Sequence, residues 1–172
     1  MDFRSIIEFF KDISKYLVIA LVVFLIFVFV VGFQQVVGPS MSPTLKEGNI
    51  ILVNKMKYRF SKVKREDIVV VSIKHKYMIK RVIGLPGETV EYKDNKLYIN
   101  GEYYEEDFID TNTVKTEDFA VNGVIPEGKY LVLGDNRENS EDSRDYGLIS
   151  KKDIVGKAWI KFWPISQIKF IK

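Results

Sequence analysis

Between Tyr16 and Phe33 the chain runs for eighteen residues without a charge, in Leu, Val, Ile, Phe, Ala and a single Gly. As a helix such a run spans about 27 Å, close to the hydrocarbon thickness of a bilayer. The charge-free run continues to Leu45, so a tilted span can take in several more residues. A secretory signal peptide has a shorter apolar region and ends on small residues at the cleavage site. Here the exit is Gly32-Phe33-Gln34-Gln35-Val36, with no Ala-x-Ala. The expectation is a retained anchor at 16–33, which forces everything after it to fold on one side of a membrane. Upstream, Phe3, Ile6, Ile7, Phe10 and Ile13 recur at helical spacing, with Arg4, Glu8, Lys11 and Lys15 around the other side. Residues 1–15 therefore read as an amphipathic segment lying at the membrane surface and leading into the span. Arg4, Lys11 and Lys15 precede the anchor, and only Lys46 follows it closely. The positive-inside rule puts the N-terminus in the cytoplasm and 34–172 outside, as a single-pass protein of the cytoplasmic membrane.

What remains after the anchor is long enough for one β-type core. Ile50–Val53, Ile68–Val71, Ile79–Ile83, Lys96–Ile99, Tyr130–Leu133 and Ala158–Phe162 are short runs of β-branched and aromatic residues. Turn dipeptides separate them: Pro86-Gly87, Asn100-Gly101, Asn122-Gly123, Glu127-Gly128 and Trp163-Pro164. Asn100-Gly101, between Leu97-Tyr98-Ile99 and Tyr103-Tyr104, is a strong type I′ hairpin signal. No helical pattern alternates with the strands, so a parallel α/β sheet is excluded in favour of an antiparallel, mainly β domain. Residues 105–125 are more polar and less periodic and read as a small insertion.

Composition narrows the chemistry. The chain has no cysteine, which excludes disulfides, thiolate metal sites and a cysteine nucleophile. It has one histidine, His75, so a multi-histidine metal site is excluded and a Ser-His-Asp triad would have to use that residue. His75 sits in Lys74-His75-Lys76 between two β-like runs, which reads as an exposed hairpin turn. The net charge is +3 with signs interspersed, and nothing reads as a nucleic-acid stripe.

Three stretches hold the candidate site. Gly38-Pro39-Ser40-Met41-Ser42-Pro43-Thr44-Leu45 is a serine turn restrained by two prolines. Tyr77-Met78-Ile79-Lys80-Arg81-Val82-Ile83 is an apolar strand with a lysine in it. Strand alternation sends Lys80 and Arg81 to opposite faces, so Lys80 can turn inward while Arg81 reaches solvent or a carboxylate. A free lysine titrates near 10.4 and is no base while charged, but burial disfavours the ammonium. Gly134 to Gly147 packs three aspartates, two arginines and two serines into fourteen residues. Acids and arginines this close can form bidentate pairs that fix a loop. An EF-hand is disfavoured, because arginines stand where oxygen ligands should. Taken singly, each stretch has an ordinary reading as a turn, an exposed strand lysine and a solvated charge cluster.

In this order, behind an apolar N-terminal segment, the stretches resemble the type I signal peptidase family in its smaller, Gram-positive form. The matching pieces are Ser40-Met41-x-Pro43-Thr44-Leu45, Gly48 to Lys55, Lys80 to Gly87 and Gly134 to Gly147. The resemblance covers nearly the whole chain from about residue 16 onward. It implies a membrane-bound serine endopeptidase with a Ser-Lys dyad that cleaves signal peptides from exported preproteins after small residues. Ser40 resembles the nucleophile and Lys80 the general base. Ser140 resembles the serine that orients the lysine, Asp142 and Arg144 a pair that shapes the site, and Arg137 a further cation. The oxyanion hole would use the Ser40 N–H; some members add a serine where this chain has Gly38, so the second donor stays open. Asn49 is a further departure, since Asp often follows the glycine there. Gln34, Gln35, Val36, Val37 and Ile79 would flank the substrate as extended neighbours. The implied partners are signal peptides and the lipid bilayer, with a secretion translocon as a further candidate; no metal or organic cofactor and no nucleic acid is implied. Trp159, Phe162 and Trp163, beside Lys157 and Lys161, are either a core strand or a patch resting on lipid. The competing reading for the whole chain is a catalytically silent anchored β-domain that binds peptides or lipid.

Overall fold

The computed structural model describes residues 3–171, and of Phe3, Ser5 and Ile6 only the backbone. The outer ends of the segments expected at 1–15 and 34–172 lie outside the described residues. One helix, α1 (Phe3–Val30), opens the chain, and its stretch Ile7–Val30 is long and apolar enough to cross a membrane. The amphipathic segment and the span are thus one continuous helix.

Among the described residues twelve strands follow: β1 (Val31–Gln35), β2 (Ile50–Asn54), β3 (Ile68–Ile73), β4 (Lys76–Gly84), β5 (Val90–Lys93), β6 (Lys96–Ile99), β7 (Glu102–Tyr104), β8 (Phe119–Ala120), β9 (Lys129–Leu133), β10 (Ile149–Ser150), β11 (Ile154–Trp163) and β12 (Lys169–Phe170). Two single-turn helices, α2 (Lys57–Phe60) and α3 (Ser143–Tyr146), decorate the connections. The larger sheet runs β1-β2-β11-β3-β4-β9-β10 with β12 against β11; the smaller runs β7-β6-β5-β8. Every pairing between these strands is antiparallel. The fold is mainly β with one N-terminal apolar helix.

The exit from the anchor differs from the expectation at Phe33. Val31 to Phe33 leave the helix and pair with Asn54 to Leu52. The last helical carbonyl, that of Val30, accepts from the Lys55 N–H at 2.9 Å. The apolar residues Val31-Gly32-Phe33 can serve either helix or strand, and the waiting edge of β2 decides for strand. The excursion expected at 105–125 also has different bounds. It is the second half of a unit that begins at β5, whose Glu91 and Tyr92 pair with Ala120 and Phe119 of β8.

The core has three parts. Ile68 and Val70 of β3 pack with Met41, Leu45, Ile51, Val53 and Ile79, whereas Val69 and Val71 point the other way, among Val82, Tyr130, Val132 and Ile154. Burial on both faces is the reason that β3 reads as an unbroken apolar run rather than an alternating one. The third cluster, Ile83, Val90, Tyr92, Leu97, Ile125, Leu131 and Leu133, joins the small sheet to the large one.

A single carboxylate stitches distant segments together. Asp135, wholly buried, accepts from Arg81 Nε and Nη2 at 2.8 Å each and from Thr44 Oγ1 at 2.5 Å. Arg81 is itself buried, donates to the Glu66 carbonyl at 3.1 Å and lies 4.1 Å over the Phe108 ring. Removing one partner of such a pair strands a charge and costs about 3–5 kcal/mol. Arg81→Met is therefore expected to lower stability by that amount in urea unfolding, and Arg81→Met/Asp135→Asn to recover much of it.

Candidate active site

Strand β4 carries Lys80 into the interior, where it is 2 % exposed. Its Nζ donates to Ser140 Oγ at 3.0 Å, and Ser140 Oγ lies 2.8 Å from Asp142 Oδ2. An ionised carboxylate can only accept, so the one hydroxyl proton of Ser140 goes to Asp142 and its lone pair faces the lysine. The oxygen of Ser140 is thus oriented from both sides.

Asp142 is held by more than Ser140. It accepts from Arg144 Nε and Nη2 at 2.9 Å each and from the Gly134 N–H at 3.0 Å. Burial would push its carboxyl up, but these donors, Arg144 above all, hold it below the usual carboxylate range. Asp142 also caps α3, accepting from the Arg144 N–H while Asp145 accepts from the Asp142 N–H. The cap fixes the backbone on which both Asp142 and Arg144 sit.

For Lys80, burial is the largest influence and pushes the ammonium's pKa down. Asp142 pulls it up, Arg144 pushes it down, and the net direction is down. No carboxylate among the described residues pairs directly with Lys80, because Arg144 and Arg81 already engage the two nearby aspartates.

Ser40 reaches the same place from the turn that follows β1. It lines a groove with Gln34, Gln35, Val36, Val37 and Gly38 on one wall and Tyr77, Met78, Ile79 and Lys80 on the other, with Glu141 at one end. The turn is held by the Asn136 N–H on the Ser40 carbonyl at 3.0 Å and by Asn136 Nδ2 on the Pro39 carbonyl at 3.3 Å. Gly134 lies between the two serines. A Cβ there would stand 2.2 Å from Ser140 Oγ and 2.5 Å from the Ser40 carbonyl oxygen, so no other residue fits. Among the described residues, the Ser40 N–H donates to no backbone carbonyl.

The structure therefore brings Ser40, Lys80, Ser140, Asp142 and Arg144 together. Val36 and Ile79 line the groove by backbone more than by side chain, since both are buried in the core. Gly38 adopts a φ of 75° beside the serine turn. Asn49, the departure from the family pattern, is buried; its side chain accepts from the Lys46 N–H at 3.0 Å and its carbonyl from the Val36 N–H at 2.8 Å. It holds the chain between β1 and the serine turn. His75 is exposed in the two-residue turn between β3 and β4 and does not line the groove. Arg137 does not face the groove: its guanidinium turns into the small sheet. Sequence reasoning missed Gly134, Asp135, Thr44, Asn136 and Glu106. Of these all but Glu106 lie in stretches already singled out, Thr44 in the serine turn and Gly134, Asp135 and Asn136 in the polar loop.

Lys80 makes a stability prediction whose sign can be worked out. With its pKa depressed in the fold, the unfolded chain binds more protons between that value and about 10.4. Stability should rise with pH across that window, and below it the buried ammonium is a liability. Lys80→Met is expected to melt higher than wild type at neutral pH and to lose that rise, measured by thermal unfolding at a series of pH values.

Comparison with known proteins gives the family. The family model described as "Signal peptidase, peptidase S26" matches residues 7–163. Signal peptidase IB of Staphylococcus aureus strain MRSA252 is 39 % identical over 165 residues, covering 87 % of this chain and 86 % of its own. Signal peptidase I V of Bacillus subtilis strain 168 is 48 % identical over 134 residues, covering 71 % of this chain and 80 % of its own. The crystal structure of a signal peptidase I from Enterococcus faecalis V583 superposes with a TM-score of 0.53 at 39 % identity, covering 56 % of this chain and 97 % of that one. The chain belongs to the signal peptidase family, peptidase S26.

Proposed function

We propose that this protein is a membrane-anchored serine endopeptidase that removes N-terminal signal peptides from exported preproteins after small residues. The observation that carries this reading is a buried lysine, without a directly paired carboxylate, that donates to an oriented serine hydroxyl in the wall of the groove holding Ser40. Neutral Lys80 takes the proton from Ser40 Oγ as that oxygen attacks the scissile carbonyl carbon. The oxyanion that forms is met by the Ser40 N–H. The Lys80 ammonium then gives its proton to the departing amine, leaving an acyl-enzyme and the mature N-terminus. Lys80 next deprotonates a water that attacks the ester, and Ser40 recovers its proton. Throughout, Ser140 keeps the Lys80 nitrogen in line, and the anion of Asp142, fixed by Arg144, keeps Ser140 in line.

Two sheet edges support an extended substrate. Among the described residues, β1 is paired only with β2, and β4 from Lys76 to Lys80 is paired only with β3, since β9 joins it from Arg81 onward. A strand laid in the groove can bond to both free edges, and backbone walls leave shallow space for its side chains. The bilayer is supported as a partner by an exposed apolar surface beside the end of α1. Phe33 and Phe162 rings lie 6.0 Å apart, Trp159 and Phe170 rings 6.1 Å apart, and Trp163, Ile165 and Ile168 are also exposed. With the Lys/Arg bias, this supports a groove at the outer face of the cytoplasmic membrane, where a translocon would deliver its substrate.

The test is cleavage of one purified preprotein across pH. Ser40→Ala and Lys80→Ala should be inactive yet folded, and Lys80→Arg should fail as well, since a guanidinium stays protonated. His75→Ala should keep most activity. Wild-type activity should rise with pH through the depressed pKa of Lys80. Substantial turnover by Lys80→Ala, or none by folded His75→Ala, would reject the dyad; cleavage by none of the variants or the wild type would favour a silent binding domain.

Substrate choice gives a second test. Replacing alanine before the cleaved bond with leucine is expected to slow processing more than tenfold, about 1.4 kcal/mol of transition-state binding. Equal rates for the two would show that the groove does not select by size.

A further inference from the structure

Arg137 lies three residues after Gly134 and three before Ser140, yet it points away from both serines. Its Nη2 meets Glu106 Oε1 at 2.5 Å, its Nη1 meets Tyr92 Oη at 2.7 Å and Thr116 Oγ1 at 3.2 Å, and its Nε donates to the Gly134 carbonyl at 3.0 Å. Tyr92 Oη in turn donates to Glu106 Oε1 at 2.7 Å. All four side chains are buried, Arg137 to 2 % and Tyr92 to 1 % exposure. Tyr92 belongs to β5, and Glu106 and Thr116 to the segment between β7 and β8, so every side-chain partner of Arg137 comes from the small sheet and its connection.

The backbone of Arg137 faces the other way. Its carbonyl accepts from Arg144 Nη2 at 2.7 Å. That same Arg144 holds Asp142, Asp142 orients Ser140, and Ser140 accepts from Lys80. A continuous series of charge-assisted and neutral hydrogen bonds therefore runs from a carboxylate of the small sheet to the lysine nitrogen.

We propose that Glu106 is a positioning residue for the peptidase reaction, and that through Arg137 the small sheet sets the loop that carries Gly134, Ser140 and Asp142. The proposal rests on the reading that Lys80 and Ser140 serve catalysis. Stability alone does not call for this arrangement. Apolar side chains of similar volume fill a buried space as well as an ion pair does, or better. What they lack is direction. A bidentate guanidinium with further hydroxyl partners has one orientation, and it fixes the backbone attached to it. Tyr92, Glu106, Thr116 and Arg137 do not line the groove, so a change among them acts on the orientation of Lys80 rather than on substrate binding.

The experiment compares full-length wild type, Ser40→Ala, Glu106→Gln and Glu106→Gln/Arg137→Met on one preprotein, well below their melting temperatures. Glu106→Gln leaves Arg137 charged and without its counter-ion, so it should melt lower and lose at least tenfold in kcat with KM within twofold of wild type. The double variant removes the stranded charge and should regain the melting temperature while kcat stays at least threefold down. A double variant whose kcat returns to within threefold of wild type would show that the cluster is only structural and overturn the proposal. If the double variant does not fold, Thr116→Val and Tyr92→Phe decide. A threefold or greater loss of kcat at constant KM in either supports the proposal, and wild-type kcat in both overturns it. Cleavage that survives Ser40→Ala would instead sink the catalytic reading itself, which keeps the two failures apart.

Discussion

One buried carboxylate holds three remote parts of this chain in register. Asp135 follows Gly134, takes two guanidinium nitrogens of Arg81, Nε and Nη2, and takes the hydroxyl of Thr44. The serine turn, β4 and the polar loop after β9 are each short and have no independent reason to meet. Burying an anion is costly unless it is paired and its lone pairs are used. Here a planar guanidinium and a hydroxyl use them, and both can do so in only one arrangement. Arg81 also directly precedes Val82, whose N–H and carbonyl are engaged by Asp67 and Glu66, so the pair is built on a backbone that is already fixed.

The electrostatics of the site follow from how the arginines are assigned. Arg81 is committed to Asp135, Arg144 to Asp142 and Arg137 to Glu106. Each of these three anions has its own cation, and the amine that lines the groove, Lys80, is left without a carboxylate partner among the described residues. Burial is the main cause of its lowered pKa, and the arginine pairs leave that effect uncancelled. An aspartate released from its arginine would become a counter-ion for the lysine and favour the ammonium. The two arginine pairs nearest Lys80 bear on its proton affinity through the aspartates they occupy.

Much of this was legible in the sequence, for local reasons. Asn100 and Gly101 have φ of 54° and 82°, as a type I′ turn requires, and Lys74 and His75 have φ of 48° and 65° in the hairpin that exposes the histidine. The β-branched runs became strands because their side chains are buried on one or both faces. β1 was not legible, because an apolar run that leaves a membrane looks the same as helix or strand until β2 is beside it. β5 was missed because Val90-Glu91-Tyr92-Lys93 is short, and its alternation shows only once Leu97 and Ile99 pair with it. In the site, strand alternation foretold that Lys80 and Arg81 would part. The destination of Arg137 could not be read, since its carboxylate lies 31 residues earlier in a stretch without periodicity.

The absence of a linker after α1 has a geometric consequence. The helix ends at Val30, β1 begins at Val31, and the wall of the groove begins at Gln34. Phe27 in the helix and Phe33 in the strand lie 6.0 Å ring to ring across the junction. With α1 in a bilayer, Ser40 stands at most ten residues from the end of the span, a contour of about 33 Å at full extension. The groove is thus carried at a set height, like a blade mounted on a post. With Ser40 as the proposed nucleophile, a bond presented too close to the lipid or too far from it would miss the blade, whatever residues surround it: such an enzyme would select by altitude.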